Sequence, residues 1–321
     1  MEIIRSSSPV IDLPRGGVVT IGNFDGVHLG HQHLVAGVVQ RSRELGVEAV
    51  AVTFEPHPEQ VLRPEAGLRL LCTPAQRAQL LARCGIGVVV ELPFDRTVAA
   101  TPAPEFSREF LFGRLRPVEL HVGTSFRFGR GRAGDVALLQ ELAGDFGCAV
   151  TPVAGVTWGD EVVSSTRVRR EMARGNVEEA WRLLDRPALV DGVVYSGERM
   201  GRRLGYPTIN IRLENQLPPA HGVYITAVHI PSFGRVFPSV TNIGVRPTVY
   251  ENYDVTVESH VLDFAGDVYR EPVRLFFLER VRDEKLFANS MELVSQIHRD
   301  VETTRRYMLT RGLPDGQLVR R

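Results

Sequence analysis

Apolar residues in the first half of the chain fall in short continuous runs: residues 17–21 (GVVTI), 47–54 (VEAVAVTF), 88–92 (VVVEL), 118–122 (VELHV) and 148–153 (CAVTPV). With little alternation inside them, they read as strands covered on both faces. Residues 31–39, 74–83, 105–115 and 135–142 lie between these runs and carry helical spacing. Gly46 stands where a helix can end, Pro74 where one can begin, and Asp135 where one can be capped. Strands alternating with helices predict an α/β, doubly wound, mostly parallel sheet with its site at the carboxyl ends of the strands. After a last helical stretch at residues 177–184, Asp185-Arg186-Pro187 breaks the pattern. Beyond it, β-branched and aromatic residues alternate with polar ones between Gly/Pro turns. Residues 189–195, 206–211, 223–230, 235–242, 254–262 and 268–279 are candidate strands, which predicts a small antiparallel β-barrel. Leu293, Val294, Ile297 and Val301 then recur at helical spacing, predicting one C-terminal helix over residues 290–309. The domain boundary is expected near residues 185–188, giving domains 1–185 and 186–321.

A length of 321 residues suits two domains, and 43% hydrophobic with 24% charged residues is a globular composition. The net charge of +0 argues against a generally basic nucleic-acid binder. Almost all positive charge is arginine; Lys285 is the single lysine. That excludes a Walker loop, which needs Lys before Ser/Thr, so ATP chemistry here must use helix N-termini, Arg, His and a metal ion. Cys72, Cys84 and Cys148 form no CxxC and read as small core residues in a reducing compartment. Met1-Glu2-Ile3-Ile4-Arg5 opens no signal peptide, and no apolar run nears the ~20 residues that span a bilayer. A cytoplasmic location without membrane partners is the expectation.

The candidate chemistry centres on GNFDGVHLGH (residues 22–31), between the first buried run and its helix. A helix start leaves N–H groups unpaired and favours anions. His28 and His31 bracket Gly30 there, so backbone and imidazoles can converge on one phosphate. A lone helical histidine is usually a packing residue, and a paired motif at this junction fits that role less well. His28, His31 and His33 match no zinc spacing. Three later segments sit in the region where the fold puts a site. TFEPHP (residues 53–58) reads equally as loop punctuation or as a ligand loop. GTSFRFGRGRAG (residues 123–134) joins glycines, arginines and phenylalanines, as a ligand loop does, although a solvated basic turn is the plain alternative. In VSSTRVRR (residues 163–170), Ser164 or Ser165 can cap a helix whose first turn holds Thr166 and Arg167; an ordinary capped helix with a basic face reads the same way.

In the second half, GRRLGYPTIN (residues 201–210) is a glycine-flanked basic loop able to wrap phosphates. Thr208 and Asn210 alternate along the expected strand and offer oxygens of the kind Mg²⁺ takes. A hairpin turn with two polar edge residues is the other reading. Glu258 shares a strand face with Thr256 and His260, either as a solvent face or as a base for a hydroxyl nucleophile.

The HxGH residues are similar to the motif of the nucleotidyltransferase superfamily. GNFDGVHLGH, TFEPHP, VGTSFRFGRGRAGD and VSSTRVR, in that order, resemble the N-terminal module of the bacterial bifunctional riboflavin kinase/FAD synthetase family. GRRLGYPTIN, LPPAHGVY, VTNIGVRPT, VESHVLDF and RDEKLF resemble its riboflavin kinase domain. The resemblance implies phosphorylation of riboflavin to FMN with ATP, then adenylylation of FMN to FAD with release of pyrophosphate. It implies that His28, His31 and Arg167 act on the triphosphate, with Gly22, Asn23, Phe24, Ser164, Ser165 and Thr166 completing that nucleotide site. It further implies that Gly201, Gly205, Pro207, Thr208 and Asn210 bind the second ATP, that Thr208 and Asn210 hold Mg²⁺, and that Glu258 is the general base. Riboflavin, FMN, FAD and ATP are then the partners, with no nucleic acid. Ser125 departs from the pattern: an acidic or amide residue is expected before Phe126, and serine supplies no carboxylate. Two other readings stay open at this point. One is a single-activity nucleotidyltransferase with the barrel as a binding module. The other is a non-enzymatic nucleotide- or RNA-binding protein, against which the balanced charge and the lack of an aromatic-plus-basic strand face both count.

Overall fold

Valine-rich runs covered on both faces build the first half, as their composition requires. The computed structural model of the chain describes residues 1–5, 13–197, 200–246 and 254–313, and contacts divide it into two units, Met1–Ser165 and Thr166–Arg321.

The first unit runs through β1 (Glu2–Arg5), β2 (Val18–Ile21), α1 (Leu29–Leu45), β3 (Ala49–Glu55), α2 (Pro74–Arg83), β4 (Val88–Pro93), a π-helix (Phe106–Leu115), β5 (Glu119–Gly123), α3 (Val136–Ala143) and β6 (Ala149–Val153). The six strands pair in the order β1-β4-β3-β2-β5-β6, every pair parallel. From β2 the chain winds to β3 and β4 on one side, then crosses to β5 and β6 on the other. The loop after β2 therefore opens at the switch point, where α/β sheets bind ligands. Both sheet faces are covered. Val19, Ile21, Val50 and Val52 pack with Leu111, Phe112, Leu115 and Leu139. Val18, Ala49, Ala51 and Val89 pack with Val35, Val38, Leu80 and Leu81 from α1 and α2. Each of these large side chains contributes about 1.5–3 kcal/mol when fully buried. Gly46 ends α1 in the left-handed region (φ 67), Pro74 opens α2 and Asp135 accepts the Leu138 N–H at 3.1 Å, as expected, while a capping box of Thr73 and Gln76 ahead of α2 is an addition the structure makes. A two-stranded hairpin of β7 (Thr157–Trp158) and β8 (Glu161–Val162) follows.

The second unit begins within α4 (Ser165–Arg174), followed by α5 (Val177–Leu184). Then come β9 (Ala188–Tyr195), β10 (Ile209–Leu213), β11 (Gly222–Ile230), β12 (Arg235–Arg246), β13 (Asp254–Val261), β14 (Pro272–Arg282) and α6 (Ser290–Arg311). The six strands close a barrel in the order β10-β13-β12-β11-β14-β9, every pair antiparallel. Inside it, Thr226, Ser239, Thr241 and Ser259 are fully buried and joined by hydroxyl hydrogen bonds of 2.6–2.9 Å. Outside it, Ile225, Ala227, Phe276 and Leu278 are covered by Trp181 of α5 and by Tyr307 and Met308 of α6. Two strand expectations shift. The sixth candidate begins at Pro272 rather than at residue 268. The second begins at Ile209, so Thr208 precedes the strand instead of lying on it. Pro207 has no N–H to give a ladder, and its carbonyl is bonded by the His260 ring at 2.8 Å, so the ladder stops short of Thr208. Pro247 and Thr248 of VTNIGVRPT lie outside the described residues. Among the described residues no helix is long and apolar enough to cross a membrane.

Candidate functional site

Antiparallel register sets one row of side chains across three barrel strands. Glu258 on β13 pairs with Asn210 on β10 at one side and with Asn242 on β12 at the other. Residues two apart on a strand share a face, so His260 lies on the Glu258 side while Val257 and Ser259 turn inward, both fully buried. This outer row is the wall of a cavity of about 620 Å³, lined also by Gly201, Thr208, Lys285 and Phe287. The lining is polar along the row and apolar at Val223 and Val240, which pair with Asn242 and His260, and at Phe287, Leu293 and Ile297.

Thr208, Asn210, Glu258 and Gly201 thus line one cavity; Gly205 and Pro207 are not among its lining residues. Gly205 closes the preceding turn with its N–H on Arg202 O at 3.3 Å, while Pro207 acts through its carbonyl. The Asn210 Oδ1 is buried and has no hydrogen-bond partner among the described residues. A buried amide oxygen left unpaired costs about 1–3 kcal/mol, so a ligand on that atom is stabilising. With Thr208, which lines the same cavity, it offers oxygens of the kind that suit Mg²⁺, an ion that takes few protein ligands and keeps water or phosphate oxygens as the rest. Among the described residues no group of three or more His, Cys, Asp or Glu is placed to hold a metal.

Asn242, Glu284 and Lys285 also line this cavity, and sequence reasoning gave them no role. The Asn242 Nδ2 donates to Glu284 Oε1 at 3.3 Å, and the same carboxylate lies where a side chain on Gly244 would stand. Only glycine leaves that space. Gly244→Ala is expected to push Glu284 off Asn242 and lower turnover in this cavity roughly tenfold with little loss of stability; steady-state rates together with a thermal melt check it. Arg282 holds the same loop to α6 through a bidentate pair with buried Asp300 (2.8–3.2 Å), which also accepts from Gln296 at 2.8 Å.

In the first unit, the loop after β2 turns sharply. Phe24 and Val27 adopt positive φ (50° and 41°) although both are buried, and for a β-branched residue that is strain of about 1–3 kcal/mol. Asp25 holds the turn. Its carboxylate accepts from the N–H groups of Leu71 and Cys72 at 3.0–3.2 Å, and its carbonyl accepts from the Ser165 hydroxyl at 2.8 Å. Asp25→Ala strands those buried donors, and a loss of about 1–3 kcal/mol is expected in chemical denaturation.

His28 is the N-cap of α1: its Nδ1 accepts from the His31 N–H at 3.4 Å, so the neutral ring carries its proton on Nε2. The two imidazoles stack at 3.7 Å, and His28 atoms lie 3.2–3.3 Å from where a Cβ on Gly30 would be, so the glycine of the motif is what admits the stack. Burial, and then the charge of His28, hold the His31 imidazole well below its ordinary value of 6.5. His31 Nδ1 is buried without a partner among the described residues. Folding with a neutral His31 means that the unfolded chain binds more protons below about pH 6.5, so stability present above that pH is lost on acidification. His31→Gln is expected to flatten the fall in denaturation midpoint between about pH 7 and 5.

Gly22 and Asn23 are half-buried and Phe24 is fully buried, its ring meeting that of His31 in a T-shaped contact with centroids 5.3 Å apart. Ser164 precedes α4 at the N-cap position, whereas the Ser165 hydroxyl is bonded to Asp25 O. Thr166 is exposed, and Arg167 is buried in the second unit against Glu179 at 3.0 Å. Loop 123–134 divides its features. Phe128 joins the core and stacks on Phe126 at 5.5 Å, while Ser125, Arg127, Arg130 and Arg132 are exposed. In TFEPHP, His57 is buried and caps a short helix (Pro58–Leu62), and Glu55 pairs with buried Arg77 at 2.9 Å.

Comparison with known proteins gives two family matches: residues 11–167 match the family described as FAD synthetase, and residues 184–308 that described as riboflavin kinase. A protein named bifunctional riboflavin kinase/FMN adenylyltransferase from Escherichia coli (strain K12) is 37% identical over 309 residues, covering 96% of this chain and 98% of that one. Proteins of the same name from Pseudomonas fluorescens and Bacillus subtilis (strain 168) are 38% and 32% identical, covering 95% and 90% of this chain and 97% and 92% of their own. A crystal structure titled macrolide-efflux protein from Streptococcus pneumoniae superposes with a TM-score of 0.88 at 30% identity, over 95% of this chain and 99% of that one.

Proposed function

The chain belongs to the family of bifunctional riboflavin kinase/FMN adenylyltransferases, and from that premise we propose which residues carry each reaction. It phosphorylates riboflavin to FMN with ATP and adenylylates FMN to FAD with release of pyrophosphate. The working boundary is assigned at 185/186, close to where the riboflavin kinase match begins at residue 184.

Phosphorylation is assigned to the barrel cavity. Glu258 orients the ribityl 5′-hydroxyl and accepts its proton as the oxygen attacks the γ-phosphate and the bond to the β,γ-bridging oxygen breaks, releasing ADP. The apolar part of the lining, which includes Phe287, Leu293 and Ile297, takes the flavin ring. Gly201 and the turn closed by Gly205 lie against the phosphates, and Thr208 and Asn210 hold Mg²⁺. When bound, Mg²⁺ supplies neutralisation of the charge that builds on the transferred phosphoryl group. The observation that carries this assignment is the Asn210–Glu258–Asn242 row in one cavity with Thr208, the Asn210 Oδ1 having no hydrogen-bond partner among the described residues.

Adenylylation is assigned to the loop after β2. The FMN phosphate is already anionic and needs no base. His28 and His31, the N–H groups of the α1 start and the Gly22-Asn23-Phe24 backbone hold the triphosphate and stabilise the departing pyrophosphate. Ser164, Ser165, Thr166 and Arg167 are assigned to the same nucleotide on their motif. The three free cysteines and the use of ATP support a cytoplasmic setting.

Incubation of the full chain with riboflavin, ATP and Mg²⁺ tests the metal assignment. Asn210→Ala should raise the Mg²⁺ concentration needed for half-maximal FMN formation roughly tenfold and leave FAD formation from supplied FMN unchanged. An unchanged Mg²⁺ requirement would remove Asn210 from the metal site.

A further inference from the structure

Thr208 is assigned to nucleotide and metal, yet it lies outside the barrel ladder, which on β10 starts at Ile209. Its position is therefore set by what holds residues 206–208. The Tyr206 N–H is tied to Gly201 O at 2.9 Å, within the same loop. Tyr206 packs on the cluster of Val223, Val240 and Leu262, and a hydrogen bond to the barrel wall comes from the His260 ring, whose Nδ1 lies 2.8 Å from Pro207 O. A carbonyl only accepts, so His260 Nδ1 carries a proton and donates. The Tyr206 ring meets His260 edge-on at 5.4 Å, and its hydroxyl lies 3.2 Å from His298 Nδ1 on α6. His260 is two residues from Glu258 on β13, and both line the cavity. One strand face thus presents the base and the clamp on the loop that bears Thr208.

We propose that His260 is a positioning residue for riboflavin phosphorylation: by donating from Nδ1 to Pro207 O it sets Thr208 and the nucleotide loop at a fixed distance from Glu258. The proposal rests on the assignment of phosphorylation to this cavity. The Nδ1 proton is held by the Pro207 carbonyl and is not passed to a reacting atom. A proton-transfer role would not have that property. Asparagine offers an N–H at about the Nδ1 position, while glutamine places its amide near Nε2 and loses the bond.

The test uses the full chain with His260→Ala, His260→Asn and His260→Gln. Its readouts are riboflavin phosphorylation, Mg·ADP affinity by calorimetry, and the pH profile of kcat/KM. His260→Ala and His260→Gln are expected to weaken Mg·ADP binding and raise the KM for ATP roughly 10- to 100-fold, with His260→Asn recovering most of the loss and keeping the parental pH profile. Parental Mg·ADP affinity in His260→Gln would overturn the proposal, as would loss of a limb of the pH profile in His260→Asn. Should the alanine variant fail to fold, the Asn/Gln pair decides the question alone. If Glu258→Ala phosphorylates riboflavin at the parental rate, the site assignment has failed instead, a result separable from any His260 outcome.

Discussion

Replacing Glu258 with alanine is expected to slow riboflavin phosphorylation by roughly 10²- to 10⁴-fold, the range general-base catalysis supplies, while FMN is still converted to FAD at the parental rate. The ribityl hydroxyl is a weak nucleophile until its proton has somewhere to go. Glu258 stands in the middle of the Asn210–Glu258–Asn242 row, facing the cavity rather than the barrel interior. The fold should tolerate the change, because Glu258 is half-buried on an outer face and its strand is held by Val257, Ser259 and Val261. Separating FMN from FAD by chromatography after single turnovers reads both activities in one sample. Parental phosphorylation by the variant would remove Glu258 as the base.

His28→Ala and His31→Ala are expected to reverse that outcome, cutting FAD formation from FMN by roughly 10²- to 10³-fold and leaving FMN formation from riboflavin intact. The two rings are stacked at 3.7 Å over Gly30, and His28 caps the helix whose N-terminus faces the loop. His31 is held neutral by its surroundings. A polyphosphate placed there restores the protonated form, because an anion favours the charge that burial opposes. Adenylylation by the parental chain should therefore take up protons when pyrophosphate or ATP binds near pH 6, which calorimetry in buffers of different ionisation enthalpy measures. The His31 variant should lack that uptake. Equal loss of both activities in a folded histidine variant would break the division of labour between the units.

The parallel sheet was legible because its strands announce themselves. Residues 88–92 and 118–122 are short apolar runs bounded by turn residues, and they fold as Val88–Pro93 and Glu119–Gly123. β1 was not legible: Glu2–Arg5 has only two apolar residues, and its place beside β4 comes from pairing at a sheet edge. The order β1-β4-β3-β2-β5-β6 depends on crossovers that local periodicity does not encode. In the barrel, alternation put Glu258 and His260 on one face, as found. It gave no means of seeing that Asn242 pairs with Glu258, since register across strands is a tertiary property. Glu284 was missed for a related reason: it reaches the row from a loop after β14, through space left by Gly244. Thr208 was placed on a strand by extending period-2 spacing through Pro207, where the missing N–H stops the ladder.

The central claim is that the barrel cavity makes FMN and the loop after β2 of the parallel-sheet unit makes FAD. Its most direct test starts from riboflavin, ATP and Mg²⁺ with Glu258→Ala, His28→Ala and an equal mixture of the two chains, and follows all flavins by chromatography. The expected result is little product of either kind with the first, FMN with little FAD with the second, and rapid FAD formation only with the mixture. FAD formed at the parental rate by either variant alone would contradict the claim.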